Sequence, residues 1–171
     1  AGPIANENEG LLAEAFIILF ETKTFSIITS AGPNGIISAS KIIEAGESTT
    51  VTMIPNVGFE LDALTVDGLV VTNVLSFSFT NITANHTIAV TYKPKAYTIT
   101  TTSGANGTIS VGSIVNHGAN ATIIMTPNEG FIVDALTVDS VAVSPSTNFS
   151  FTNVIANHTI AVSYKLKTYT I

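Results

Sequence analysis

Hydrophobic and polar residues alternate along most of the chain in short runs, which is the pattern of β-strands that bury one face. In residues 87–92, Ile88, Val90 and Tyr92 fall on one face, and threonine and alanine fall on the other. Turn residues, mainly Asn, Gly and Pro, separate such runs at intervals of about 8–12 residues. No window has a convincing helical period of about 3.6 residues with caps, so the pattern predicts an all-β protein.

The strand pattern is repeated along the chain. A shift of 72 residues aligns residues 25–92 with residues 97–164 without a gap, and about half of the aligned positions are identical. Short strands at this spacing predict two tandem β-sandwich-like modules of about 72 residues. We expect about six strands in each copy, and in the first copy these are residues 25–29, 36–38, 49–54, 64–67, 77–79 and 87–92.

An Asn-Gly pair follows the first predicted strand of each copy, as Asn34-Gly35 and Asn106-Gly107. Both residue types tolerate a positive φ, and the pair is the strongest short signal for a two-residue hairpin turn. The pairs therefore predict that the first and second strands of each module form a hairpin.

Both ends of the chain carry an additional piece of the repeat. Residues 15–23 align with the last strand of each copy, and residues 169–171 align with the first strand. The predicted organisation is an N-terminal segment with an extra strand (1–24), module 1 (25–95), module 2 (96–168) and the start of a third repeat or an exchanged strand (169–171). The residues predicted to contact another subunit are Phe16, Ile18, Phe20, Tyr169 and Ile171.

An unpaired strand with alternating apolar residues is an aggregation hazard unless another element covers it. The strand in residues 15–22 could close its own first module, or it could complete a module of a neighbouring subunit by strand addition. Contacts of the second kind run head to tail, and when they do not close into a ring they generate filaments.

Composition narrows the classes of protein. Only 11% of the residues are charged, the net charge is -6 and arginine is absent, which argues against nucleic-acid binding and against docking on anionic lipid. No apolar run approaches the roughly 18 residues of a membrane span. Cysteine is absent, which excludes disulfides, thiolate metal sites and a cysteine nucleophile. A surface of Thr, Ser, Asn and Gly predicts an extracellular or cell-surface protein.

Candidate chemical groups recur with the repeat but do not form a recognisable site. His86 and His158 occupy the same position in different copies, so they are not expected to converge on a metal with His117. The acidic residues favour turn and strand-end roles, with calcium at a repeat junction as the alternative. These are Asp62, Asp67, Asp134 and Asp139. No catalytic motif is present, and we predict a non-enzyme without catalytic residues, cofactor or metal.

Six Asn-x-Ser/Thr sequons suggest possible glycosylation in a host that has the machinery. Their asparagines are Asn81, Asn85, Asn106, Asn120, Asn148 and Asn157. The competing interpretation is turn chemistry, because Asn is favoured in turns and Thr in strands.

The repeat resembles the divergent internalin-B-type B-repeats. The resemblance rests on an aromatic-x-Ile start, Asn-Gly-x-Ile-Ser, Thr-Pro-Asn-x-Gly-Phe, Leu-x-Val-Asp and a closing Ala-Asn-His-Thr-Ile-x-Val-x-Tyr, and it covers nearly all of residues 25–166. It implies an extracellular, usually surface-attached repeat protein with stalk or adhesive roles and no enzymatic activity. The family's relation to β-grasp repeats leaves β-grasp-like modules, with a short helix, as the alternative fold. Ser140 replaces Gly68 of the usual Asp-Gly turn, so that turn is expected to differ between the modules.

These observations predict a structural protein that self-associates into a surface filament, pilus-like fibre or stalk, by head-to-tail strand complementation. The alternative is a cell-surface adhesin or carbohydrate-binding module whose partners are surface glycans or a host protein. The chain contains no Trp and only four Tyr, which weakens the case for a glycan platform.

Overall fold

The computed structural model describes residues 22–169, which form sixteen β-strands and no helix. The first module has eight strands. They are β1 (Thr24–Ala31), β2 (Gly35–Ile37), β3 (Lys41–Glu44), β4 (Thr49–Pro55), β5 (Phe59–Val66), β6 (Leu69–Val71), β7 (Ser76–Phe79) and β8 (His86–Pro94).

The second module repeats the same eight strands. They are β9 (Ala96–Ser103), β10 (Gly107–Ile109), β11 (Ser113–Asn116), β12 (Ala121–Pro127), β13 (Phe131–Val138), β14 (Val141–Val143), β15 (Asn148–Phe151) and β16 (His158–Leu166). Two similar modules without helices confirm the predicted tandem sandwich-like architecture rather than the β-grasp alternative.

Each module consists of two sheets that enclose one core. The larger sheet of module 1 has the order β3-β1-β8-β5-β6, and the smaller sheet has the order β2-β4-β7. The first and last strands of the module, β1 and β8, pair in parallel, whereas the other pairs are antiparallel. Module 2 has the orders β11-β9-β16-β13-β14 and β10-β12-β15. The last strand of each module is therefore the central strand of its larger sheet.

Alternation along the strands places apolar side chains between the two sheets. In β4, Val51 and Met53 are buried, while Thr50, Thr52 and Ile54 face outward. The two cores are separate clusters, because each module closes on its own side chains. Apart from Tyr92 and Tyr164, the side chains buried within residues 22–169 have no polar group that forms hydrogen bonds, so apolar packing and backbone hydrogen bonds provide most of the stability of both cores.

The sequence underestimated the number of strands. It did not predict β3 and β6, which form the two edges of the larger sheet and which repeat as β11 and β14. Both are short, and their residues are mostly exposed, so they lack a buried alternating pattern. Edge strands of this kind are held mainly by backbone pairing, and side-chain periodicity does not reveal them.

The Asn-Gly turns do not form the predicted hairpins. Asn34 and Asn106 adopt positive φ values of 72° and 70°, as expected for such turns. However, β1 pairs with β3 and β8, whereas β2 pairs with β4. The turn therefore carries the chain from the larger sheet to the smaller one.

The turn at Ser140 retains the conformation found in module 1. Asp67 and Gly68 have φ values of 51° and 78°, and Asp139 and Ser140 have values of 49° and 66°. The prediction that the two turns differ is therefore wrong. Pairing of the flanking strands, with Leu136 opposite Val143 and Val138 opposite Val141, holds Ser140 in a left-handed conformation.

Candidate functional site

The residues predicted to contact another subunit lie mainly outside residues 22–169. Phe16, Ile18, Phe20 and Ile171 fall there, so their roles stay predictions. Tyr169 lies beyond the end of β16, and 75% of its surface is exposed. The Nζ atom of Lys167 lies 5.3 Å from the centroid of its ring.

A single residue links the two modules. β8 ends at Pro94 and β9 begins at Ala96, so only Lys95 lies between them. The backbone N–H of Lys95 donates to the carbonyl oxygen of Gly58 at 2.9 Å, and its own carbonyl oxygen accepts from the N–H of His117 at 2.8 Å. A linker whose two backbone groups bond to different modules fixes their separation and restricts their rotation.

Side chains reinforce this junction. Gly58 is buried, and a Cβ atom at this position would overlap the imidazole ring of His117 in module 2. The ring centroids of His117 and Tyr97 are 5.9 Å apart, and the Tyr97 hydroxyl lies 3.4 Å from Nδ1 of His117. Gly58 has φ +81°, so both its backbone conformation and its contact with His117 favour glycine. The sequence marks Gly58 as a turn residue, but it gives no signal for this contact.

Each outer end of the described chain carries one half of the same junction. The carbonyl oxygen of Lys23 accepts from the N–H of Ala45 at 2.8 Å, as Lys95 accepts from His117. The N–H of Lys167 donates to the carbonyl oxygen of Gly130 at 2.8 Å, as Lys95 donates to Gly58. No atom of the described residues lies within 4 Å of a Cβ placed on Gly130, whereas Gly58 is covered. Module 2 therefore presents an uncovered copy of the surface that module 1 uses at the internal junction.

An apolar groove of about 490 Å³ lies beside the junction in module 1. Val57, Leu61 and Leu75 line it, with Lys95 at one side. The equivalent residues of module 2 include Glu129 and Thr147 in place of Val57 and Leu75. The equivalent surface of module 2 is therefore more polar.

The repeated histidines form pairs with aspartates. Nδ1 of His86 lies 2.7 Å from Oδ2 of Asp67, and Oδ1 of Asp67 accepts from the N–H of Thr87 at 2.8 Å. The hydrogen bond from the Thr87 backbone and then that from His86 lower the pKa of Asp67. The His86 ring also stacks on Phe79, with centroids 4.9 Å apart. The pair thus connects the β5–β6 turn to the start of β8, which is the turn and strand-end role expected for this aspartate.

Module 2 has the same arrangement, in which Asp139 pairs with His158 at 2.7 Å. Its pKa is lowered by the backbone N–H of Thr159 and then by His158. Across residues 22–169, no three His, Cys, Asp or Glu side chains lie close enough together to hold a metal ion. The histidines are therefore distributed over separate structural contacts.

All six sequon asparagines are exposed. The side-chain oxygens of Asn85, Asn157 and Asn120 accept backbone hydrogen bonds from Ser26, Thr98 and Asn153 at 2.8, 2.9 and 2.8 Å. These bonds support the turn-chemistry interpretation for these three asparagines. Glycosylation stays a prediction.

Comparison with known proteins identifies the repeat. The family model described as the divergent InlB B-repeat domain matches residues 25–96 and residues 97–168. No curated protein and no solved structure matches the chain significantly. In the described part of the chain, no helix is long and apolar enough to cross a lipid bilayer.

Proposed function

The chain belongs to the divergent InlB B-repeat domain family, a repeat typical of bacterial surface proteins, and from this we propose that it is a non-catalytic extracellular building block of a surface filament or stalk. Neighbouring copies associate head to tail, and the apolar N-terminal strand of one copy complements a module of the next. The observation that carries the proposal is the junction, because its two halves recur at Lys23 and Lys167.

The internal junction shows how modules of this kind stack. A one-residue linker bonded on both sides does not behave as a flexible tether, so successive modules keep a fixed relation. Gly130 of one copy and the surface around Ala45 of the next are the repeat equivalents of Gly58 and His117. A head-to-tail contact through these surfaces would continue the internal arrangement into a non-closing assembly.

Electron microscopy and light scattering of the purified full chain test this proposal. We expect fibres whose axial repeat is close to the length of one chain, and loss of these fibres when Ile18 is replaced by Asp. A monodisperse monomer at high concentration, or assembly that is unchanged by Ile18→Asp and by deletion of residues 1–20, would contradict it.

The alternative function as a glycan-binding adhesin receives less support from the surface. Among the aromatic side chains of residues 22–169, only Tyr169 is largely exposed. Glycan platforms depend on exposed aromatic faces that lie side by side, so one such side chain does not favour this function.

A further inference from the structure

Strand β13 has an outer edge that is only partly paired. β14 pairs with Leu136, Thr137 and Val138, and it leaves residues 131–135 without a strand partner on that side. The same is true of β5 in module 1, where β6 pairs only with Leu64, Thr65 and Val66. We call the outer side of residues 131–135 the open edge. Such an edge exposes backbone donors and acceptors that a further strand can use.

Module 1 protects its equivalent edge, and module 2 does not. In module 1 the side-chain amide of Asn73 donates to the carbonyl oxygen of Asp62 at 3.0 Å. Pro145 stands at this position in module 2, and its side chain has no donor. No side chain between residues 22 and 169 replaces this bond at Asp134, so the backbone of the open edge lacks the cap that Asn73 provides.

The side chains along the two edges also differ in a way that leaves the edge of module 2 less protected. Ile132, which is 37% exposed, replaces Glu60 of module 1, and Glu60 lies 3.9 Å from Lys93 in a charged pair. Ala135 is exposed in module 2, whereas its equivalent, Ala63, is half-buried. Charges on an edge discourage strand addition, and their loss favours it. Module 2 keeps one charged pair at this edge, Asp134 with Lys165 at 2.9 Å, but it has an isoleucine in place of the second carboxylate. Its edge is therefore less capped and more apolar than that of module 1.

We propose that the open edge of module 2 is the site where the apolar run at residues 16–20 of a second copy adds as a strand; this inference rests on the proposed function. The run Phe-Ile-Ile-Leu-Phe is apolar on both faces. It has the same length as the open edge, because five residues of extended chain span about 17 Å in either segment. One face covers Ile132, and the other extends the core beside Phe131 and Val133.

The central position of each larger sheet is not available to this strand. Residues 15–23 resemble β8 and β16 in sequence, but β8 already lies between β1 and β5, and β16 lies between β9 and β13. An added strand must therefore join an edge. A shallow hollow of about 210 Å³ beside Ala135, Thr137 and Ala161 gives the aromatic residues of the run a surface to cover.

The proposed site also predicts one donor strand for each acceptor edge. Residues 1–171 hold one such apolar run, and of the two modules only the second lacks both the Asn73 cap and the Glu60 carboxylate. The uncovered Gly130 lies at the start of the same edge, where the next copy would contact module 2. One donor and one acceptor at opposite ends of a chain produce a linear assembly.

The first test compares two exposed isoleucines of module 2 in the full chain. Ile132→Glu introduces the residue that module 1 tolerates at this position, and we expect the concentration needed for assembly to rise by about tenfold or more, because strand addition would bury the new carboxylate. Pro145→Asn restores the cap and should act in the same direction. Ile114→Glu is the matched control on β11, at the opposite edge of the sheet, and should leave assembly unchanged. Circular dichroism verifies that each variant folds.

Disulfide trapping gives a second, independent readout, because the chain contains no cysteine. A variant with Ile132→Cys is mixed with a size-tagged variant that carries Ile17→Cys or Ile18→Cys, one for each face of the run. We expect crosslinked heterodimers with Ile132→Cys and not with the module 1 control Glu60→Cys. A crosslink within a single doubly substituted chain would overturn the proposal, because the run would then fold onto its own copy.

These outcomes distinguish an error in the assigned site from an error in the proposed function. If Ile18→Asp abolishes assembly but Ile132→Glu and Pro145→Asn do not, the open edge is the wrong site and the filament proposal stands. A selective effect of Ile114→Glu would move the site to β11 and would likewise overturn this assignment. If Ile18→Asp has no effect, the filament proposal itself is wrong.

Discussion

Individual residues hold the turns of both modules in unusual conformations. Of the seven non-glycine residues with positive φ between residues 22 and 169, six are asparagine or aspartate in turns that repeat between the modules, and they are Asn34, Asn106, Asp67, Asp139, Asn81 and Asn153. Among residues other than glycine, Asn and Asp tolerate this region best. Ser140 is the exception, because it stands where module 1 has Gly68.

Replacing Ser140 with glycine should therefore stabilise module 2. The native φ of 66° is unfavourable for serine and costs glycine nothing, so we expect a gain of about 0.5–1 kcal/mol and a rise in Tm of a few degrees. Thermal unfolding followed by circular dichroism measures it. Gly68→Ser in module 1 is the matched control and should lower stability by a similar amount. An unchanged Tm in both variants would show that the turn carries no strain.

The aspartates beside the histidines should make stability depend on acid pH. Hydrogen bonds from Thr87 and His86 lower the pKa of Asp67, and those from Thr159 and His158 lower the pKa of Asp139. Their contribution is therefore fully present above the unfolded-state pKa of about 3.9, and it is lost as pH falls through the lowered folded-state values.

Unfolding in urea between pH 6 and pH 2 measures this dependence. We expect Asp67→Asn together with Asp139→Asn to flatten the profile below about pH 4, where the wild-type chain loses the contribution. Both carboxylates are partly exposed, so the effect should be modest and weaker at high salt. Asp62→Asn, at a site outside these pairs, is the control.

At the scale of elements, one tyrosine in each module connects the two sheets. The Tyr92 hydroxyl on β8 donates to the carbonyl oxygen of Ile36 on β2 at 2.6 Å. Burial raises the pKa of Tyr92. Its ring lies where a Cβ on Gly35 would be, so the Asn-Gly pair provides both the turn and the space for the ring. Tyr164 and Gly107 repeat this arrangement, with a hydrogen bond to Thr108.

Substitution of Tyr92 or of Gly35 should destabilise module 1, and the two losses of stability should differ. Tyr92→Phe removes one hydrogen bond and leaves the Ile36 carbonyl without this donor, at a cost of about 1–2 kcal/mol. Gly35→Ala forces the ring away and should cost about 1–3 kcal/mol through overpacking. Chemical denaturation of both variants measures the difference. If Gly35→Ala were neutral, the ring would not be held against the turn.

Sequence reasoning recovered the elements that have a buried face. Strands β4 and β8 were predicted because large apolar residues alternate there with smaller or polar ones. These are Val51 and Met53 in β4 and Ile88 and Val90 in β8. β3 and β6 were not, because their residues are mostly exposed. The Asn-Gly pair correctly indicated positive φ, but local turn chemistry does not determine which strands pair. Strand pairing depends on contacts between distant residues, and the contact of Tyr92 with Gly35, for example, spans 57 positions of sequence.

At the scale of the whole molecule, the sequence also did not predict the junction between the modules. The predicted boundary placed Lys95 at the end of module 1, but Gly58 and His117 were not connected with it. Their contact depends on how two folded modules meet, and no periodicity within one repeat encodes it. The 72-residue repeat nevertheless predicted correctly that the chain contains two modules of one kind.

His117→Ala should loosen the junction without unfolding module 2. Alanine stands at the equivalent position, Ala45, in module 1, so the fold accommodates it. We expect the Tm of each module to stay within a few degrees, while residual dipolar couplings from the two modules no longer fit one common alignment tensor. His86→Ala, away from the junction, is the control and should keep a common tensor. A common tensor in the His117 variant would show that the Lys95 hydrogen bonds suffice.

The central position of β8 and β16 has a consequence for how the chain folds as it is synthesised. β8 is the last strand of its module to leave the ribosome, yet both β1 and β5 pair with it. The larger sheet therefore cannot form from an incomplete module, and its decisive contacts join residues about 60 positions apart, which makes folding slow. We therefore expect a nascent module to stay unfolded until its final nine residues emerge and then to fold as one unit. We expect an array of such modules to fold one module at a time, each after its own last strand has been synthesised.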